Sequence, residues 1–224
     1  VGHEFVFTFD SGGMEVIAVD PSTVMFITAS MDFPCEFEGE IGIDTTQLKK
    51  LIPKGIDEIM FKFGKTINMS SEGYESTMAS YNETSCLRRP KHEFPVPKEG
   101  VPINPQNLYD KVKELRESFD GQCFSIDANP SSPSVITLRD IDVSIGTMKT
   151  TVPALVNVQA HAVYPYDFVA DALNSIRLIT DNIVLKFMPL PGNDRAVALC
   201  ICGKSEGNLP ITFQYIIAPR LEDK

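Results

Sequence analysis

Pro90, Pro95, Pro97, Pro102 and Pro105 fall within the eighteen residues from Arg88 to Pro105, and this run constrains the fold more than any other stretch of the chain. Proline removes a backbone donor and pushes the residue before it out of helical geometry, so the run predicts neither a helix nor an interior strand. It reads as an extended connector over 88–104, joining a domain at 1–87 to a second at 105–224. A chain of 224 residues has the length for two such units, each with its own core.

Both flanks carry short-strand patterns interrupted by a few helices. Phe5, Phe7 and Phe9 alternate with Val6 and Thr8, and Ser11-Gly12-Gly13 turns the chain into Met14–Val19, a hairpin by alternation and turn chemistry. Val24–Ala29 predicts a further strand. Asp44 caps a short helix holding Leu48, Leu51 and Ile52, which Pro53–Gly55 ends. Strands are expected at Ile59–Phe63, Thr66–Ser70 and Thr77–Ser80.

Beyond the connector, Leu108, Val112, Leu115 and Phe119 share one helical stripe, with Asn104-Pro105 as its cap and first residue. Strands follow at Cys123–Ala128, Val135–Leu138, Ile141–Lys149 and Leu155–Ala162. Phe168, Val169, Ala172, Leu173, Ile176 and Ile179 mark another helix, and Ile183–Phe187, Ala196–Ile201 and Ile211–Ile217 close the chain as strands. The order of elements in the second half repeats that of the first, which gives an α+β fold of two similar domains.

Chemistry for catalysis is sparse. His3, His92 and His161 have no Asp, Glu or Cys at ligand spacing, so no metal site is expected. Cys35, Cys86, Cys123, Cys200 and Cys202 are odd in number and contain no Cys-x-x-Cys, which favours free thiols in a reducing compartment. Cys200 and Cys202 alternate within an apolar strand and read as small core residues on one face. No Gly-x-Ser-x-Gly, P-loop or Gly-x-Gly-x-x-Gly occurs, so no catalytic residue and no cofactor is expected. The enzyme reading that remains is a cysteine nucleophile, Cys86 or Cys123, working with a distant histidine.

A net charge of −10 excludes bulk electrostatic attraction to nucleic acid or to an anionic membrane. The charge is uneven, however. Residues 1–48 hold nine acids and no Lys or Arg, whereas residues 49–116 hold twelve bases against nine acids. No apolar run is long enough to span a bilayer, and there is no signal-peptide pattern.

Four motifs in order along the chain carry a resemblance. Ile17-Ala18-Val19-Asp20-Pro21-Ser22-Thr23-Val24 resembles the AMDPS(R/H)V turn of DNA sliding clamps. Ile41-Gly42-Ile43-Asp44, followed by Leu48-Lys49-Lys50-Leu51 and Gly55, resembles their IGVN…LKK(I/V)L…G helix. Glu99-Gly100-Val101-Pro102 resembles the LGIP of their interdomain connector, and Ile217-Ala218-Pro219-Arg220-Leu221-Glu222-Asp223 their LAP(R/K)(I/V)E terminus. The chain is thereby similar to the proliferating cell nuclear antigen (PCNA) family of archaeal and eukaryotic type, from about Phe5 to Asp223. The family's opening strand and helix have no counterpart before Glu4, which suggests a truncated or processed chain.

The resemblance implies the DNA-clamp fold, with antiparallel sheets outside and helices lining the inside of a three-subunit ring around duplex DNA. It implies a processivity factor that tethers polymerase, clamp loader, ligase and nuclease, and no enzyme. A subunit of a heterotrimeric or checkpoint clamp is the alternative within the fold. By motif position the DNA-facing residues are Lys49, Lys50, Lys54, Lys111, Lys113, Arg116 and Arg177. Asp110 and Glu117 lie near Lys113 on a helical wheel, and Asp167 and Asp171 near Arg177, so these faces are of mixed charge. The partner-peptide pocket maps to Val19, Thr23, Val24, Phe26, Val101, Pro102, Ala218, Pro219 and Leu221, with Thr23 where relatives carry His or Arg. Edge strands near Thr77–Leu87 and Ile141–Lys149 are expected to pair between subunits. No membrane partner is implied; the location is nuclear for a eukaryotic or viral chain and the cytoplasm, at the nucleoid, for an archaeal one.

Overall fold

The alternating phenylalanines near the start form β1 (Glu4–Asp10), which turns into β2 (Gly13–Val19) with Val6 opposite Ile17 and Asp10 opposite Gly13. Asp10 closes the turn by accepting the Gly12 N–H on Oδ1 at 2.7 Å. Gly13 has φ +149°, and a Cβ there would lie 2.1 Å from the Met31 carbonyl oxygen, so only glycine fits. The computed structural model describes residues 4–20, 22, 24–52, 54–55, 58–81, 94–118, 121–132, 134–140, 147–190, 193–208 and 210–220. The chain divides into two units, one of residues 1–23 and 27–91, the other of residues 24–26 and 92–224.

In the first unit β3 (Met25–Asp32), whose opening residues group with the second unit, is followed by β4 (Gly39–Asp44) and α1 (Thr45–Leu51). Then come β5 (Met60–Lys62), β6 (Thr66–Ser71) and β7 (Tyr74–Ala79). One sheet runs in the order β4-β1-β2-β3 and a smaller one in the order β5-β6-β7. Phe9, Ile41, Ile43, Ile67, Met69 and Met78 form the buried core, so both sheets contribute to it. β4 was legible only as the Ile41-Gly42-Ile43 motif. Its strand character comes from pairing along β1, with Phe7 opposite Ile41.

The second unit holds β8 (Val101–Ile103), α2 (Pro105–Ser118), β9 (Cys123–Ala128), β10 (Val135–Asp140), β11 (Lys149–Pro153) and β12 (Ala160–Pro165). It continues with α3 (Tyr166–Ile176), β13 (Ile183–Leu190), β14 (Asn193–Lys204) and β15 (Ile211–Ile217). Its sheets run β15-β14-β13-β8 and β11-β10-β9-β12, all described pairs being antiparallel. Leu108, Val112 and Leu115 are fully buried, as the stripe predicts, while Phe119 lies outside the described residues.

Three boundaries move for physical reasons. Val101–Ile103, at the end of the proline-rich run, pairs with β13 as an edge strand, the position where a residue without an N–H is tolerated. The strand expected at Leu155–Ala162 begins only at Ala160, where pairing with Ala128 of β9 starts; Leu155 is 74% exposed. Helix α3 ends at Ile176, where the Leu178 and Ile179 N–H groups return to the Ser175 and Ile176 carbonyls three residues back and tighten the exit, leaving Ile179 partly exposed.

Candidate basic helix faces and an apolar docking patch

Helix α1 starts on Asp44, whose Oδ1 accepts the N–H groups of Thr46 at 2.8 Å and Gln47 at 3.0 Å. Lys49 and Lys50 occupy its last turn, where cations complement the carbonyl end of the helix dipole, and Lys54 follows in the next turn of chain. The Tyr74 hydroxyl donates to the Leu51 carbonyl and ties this end of the helix to β7. All three lysines are exposed, and among the described residues none has an ion-pair partner. The segment therefore presents three lysines without an acidic partner among the described residues.

The second unit contrasts with this. Asn104 caps α2 by accepting the Asn107 N–H at 3.0 Å, and Pro105 takes the first helical position, where its missing donor costs nothing. Lys111 is paired to Glu114 at 2.6 Å and Lys113 to Glu117 at 3.5 Å along the helix. Arg116 reaches Asp167 of α3 at 2.6 Å. Arg177 donates to Asn174 Oδ1 and Gln106 Oε1, and its guanidinium lies 4.4 Å from the Tyr109 ring centre. Asp167, expected beside Arg177, thus serves Arg116 instead. Helix α2 carries three bases and three acids, and α3 two acids and no base, so the positive charge of these faces is locally neutralised.

Of the residues mapped to a peptide pocket, Val19 lies in the first unit, and Thr23 and Leu221 lie outside the described residues. Within the second unit, Ala218 N–H donates to the Val24 carbonyl at 2.8 Å, which brings the turn and the terminal motif together, with Pro219 adjacent. Phe26 packs on Met188, Ala198, Cys200 and Ile216. Val101 and Pro102 are not brought there. Val101 is fully buried in β8 opposite Leu185, and β8 lies three strands from β15. Pro102 instead lines an open depression of about 390 Å³ with Asn104, Pro153 and Leu155.

The connector residues that do join Phe26 are Phe94 and Val96. The Phe94 ring centre is 5.4 Å from that of Phe26, at a tilt of 55°, and Val96, Leu190 and Cys202 complete the half-buried rim. The sequence signal for these two was weak: isolated apolar residues between prolines, without periodicity.

Among the described residues no group of three or more His, Cys, Asp or Glu could hold a metal ion. His161 pairs across the strands with Asp127, Nδ1 to Oδ1 at 2.5 Å. Cys123 is buried and accepts from the Arg220 guanidinium at 3.3 Å, and Cys86 lies outside the described residues. No helix among the described residues is long and apolar enough to cross a membrane.

No family model matches the chain, and no curated protein does. Solved structures do. PCNA of A. fulgidus, in a structure with the C-terminal region of FEN-1 bound, superposes with a TM-score of 0.76 at 14% identity, covering 100% of this chain and 92% of that one. PCNA of Thermococcus kodakaraensis gives 0.69 at 17% identity, covering 98% and 91%. Two helix-bearing units of antiparallel sheets, matched along nearly their whole length, give this chain the fold of the PCNA-type sliding clamps.

Proposed function

We propose that this chain is a non-enzymatic sliding clamp that encircles duplex DNA as part of a trimeric ring and tethers replication and repair enzymes by their short peptides. The observation that carries the reading is the apolar patch of Phe26, Phe94 and Val96 beside the Val24–Ala218 hydrogen bond, in a chain with the PCNA fold. The likeness to a PCNA with a bound FEN-1 segment supports a peptide as the occupant. Such a peptide would bring aliphatic and aromatic anchors, since the residues that form the patch are apolar.

In this reading Lys49, Lys50 and Lys54 supply most of the phosphate contact, with Lys111, Lys113, Arg116 and Arg177 contributing less because each already has a partner. Topological enclosure makes high affinity for DNA unnecessary, which reconciles the role with a charge of −10. Subunits would pair through edge strands near Thr77–Leu87 and Ile141–Lys149, whose residues 82–87 and 141–146 lie outside the described residues. The compartment follows the DNA: the nucleus, or the cytoplasm of an archaeal cell.

Titration calorimetry with a Gln-x-x-aliphatic-x-x-aromatic-aromatic peptide tests the docking half. Retention on nicked circular DNA, and release when the circle is cut, tests enclosure. Absence of binding heat and equal retention on linear and circular DNA would together remove the reading.

A further inference from the structure

Cys200 and Cys202 stand two residues apart on β14, so both side chains project from one face of the sheet. Their sulfurs are 3.3 Å apart. Cys200 is fully buried within the Met188, Ala198 and Ile216 cluster, and Cys202 is half-buried at its rim beside Phe26, Phe94 and Val96. The thiol pair is thus part of the floor of the apolar patch, and one of its members is open to solvent. Lys186 lies opposite Cys200 on β13.

We propose that Cys200 and Cys202 form a reversible modification site, a dithiol that a hydroperoxide oxidises to a disulfide, and that closing this bond weakens peptide docking on the patch. The link to docking rests on the function proposed above, whereas the chemistry of the thiols does not.

The electrostatics divide the roles of the two sulfurs. The hydrogen bond shared with Cys200 holds the Cys202 thiol below its ordinary range; burial works against this, and the Lys186 ammonium reinforces it. The same hydrogen bond and its own burial push Cys200 upward and keep its proton in place. Cys202 is also the more accessible of the two, half-buried where Cys200 is fully buried, so a hydroperoxide reaches it first and it is the attacking thiolate.

Its sulfur takes the distal oxygen of the hydroperoxide, the O–O bond breaks, and the other oxygen leaves with a proton as alcohol or water. The resulting Cys202 sulfenic acid is then attacked by the Cys200 sulfur. Its S–O bond breaks, and the hydroxide leaves as water with the Cys200 proton. Two thiols and one hydroperoxide thus become one disulfide, one alcohol or water, and one further water.

The strand resists this closure. Residues two apart along a strand are separated by about 6.6 Å, near the upper limit that a disulfide spans. Drawing the sulfurs from 3.3 Å to bonding distance must therefore pucker β14 where Cys200 pairs with Ile216 and Cys202 with Gln214. Ile216 belongs to the cluster on which Phe26 packs, so the pucker reaches the patch. A bond made under such tension is readily reduced, which makes the change reversible.

The full-length chain treated with dilute hydrogen peroxide tests this. Trypsin releases Ala196–Lys204, which contains both thiols and no other cysteine. The proposal expects this fragment to lose two hydrogens and to regain them with dithiothreitol. It also expects the oxidised chain to bind the aromatic peptide about tenfold more weakly, with Cys202→Ser abolishing the response to peroxide. A fragment that keeps both thiols, or gains oxygen without forming the link, overturns the proposal. A disulfide that leaves affinity unchanged overturns its coupling to docking. If the reduced chain binds no peptide, the docking reading fails, and the fragment mass still decides the thiol chemistry.

Discussion

Replacing Gly100 by Ala separates two pictures of the segment around it by the sign of the effect. In a loose connector the substitution would restrict the unfolded chain and stabilise by about 0.4–1 kcal/mol. In the structure, Gly100 precedes β8 and lies against β13. An added Cβ would come within 2.5 Å of Val184 Cγ1, 2.7 Å of the Leu185 carbonyl oxygen and 2.8 Å of Lys186 Cγ. The two side-chain atoms can swing away, but the carbonyl is fixed by the strand pairing of Leu185 with Val101. Overpacking against backbone costs about 1–3 kcal/mol. For a chain of this size that lowers the melting temperature by roughly 2–12 °C. Thermal and urea unfolding followed by circular dichroism, with Gly64→Ala as the control, measures it. Gly64 has only the Thr66 carbonyl near its added Cβ, at 3.8 Å, so its melting temperature should hold. A Gly100→Ala chain as stable as the parent, or more so, would refute the packing of the connector's end onto β13.

Four other outcomes are expected. Asp44→Ala should cost about 1 kcal/mol by removing the N-cap of α1, read from the urea midpoint. Phe94→Ala should weaken the aromatic peptide about tenfold in calorimetry, while Pro102→Ala leaves affinity unchanged, since Pro102 lies on the far edge of its sheet. Charge reversal at Lys49 and Lys50 should flatten the salt dependence of DNA retention, the logarithmic slope falling by about 0.9 for each phosphate that is no longer neutralised. Asp167→Asn, which frees Arg116, should instead raise retention, with stability changed by less than about 1 kcal/mol because the pair is exposed.

Local signals in the sequence were reliable where local physics decides the structure. Leu108, Val112 and Leu115 lie on one stripe, Asn104 and Pro105 cap it, and the Ser11–Gly13 turn joins β1 to β2. The pairing of Lys113 with Glu117 follows from spacing along one helix, and the wheel exposes it. Arg116 with Asp167 joins two helices, and nothing in either helix alone announces it. The same limit hid the docking patch. Proline content marks a connector but not which apolar residues within it find a surface. That choice falls to Phe94 and Val96 because Met188, Ala198, Cys200 and Ile216, from three strands, assemble the floor beneath them. Val101 matched a family motif, yet pairing with Leu185 buries it in the sheet.

The hydrogen bond from Ala218 to Val24 has a bearing on synthesis. Val24–Phe26 emerge from the ribosome early, but the unit to which they belong is made almost entirely of residues translated much later. The Phe26 ring must remain without its floor until β13, β14 and β15 have all appeared. During that interval the nascent chain displays an apolar ring and an unmatched backbone edge, the features that holding chaperones bind and that promote association between neighbouring chains. Closure of the second unit is thereby coupled to the last stretch of translation, and a pause before Ile211–Ile217 has emerged would prolong the vulnerable state.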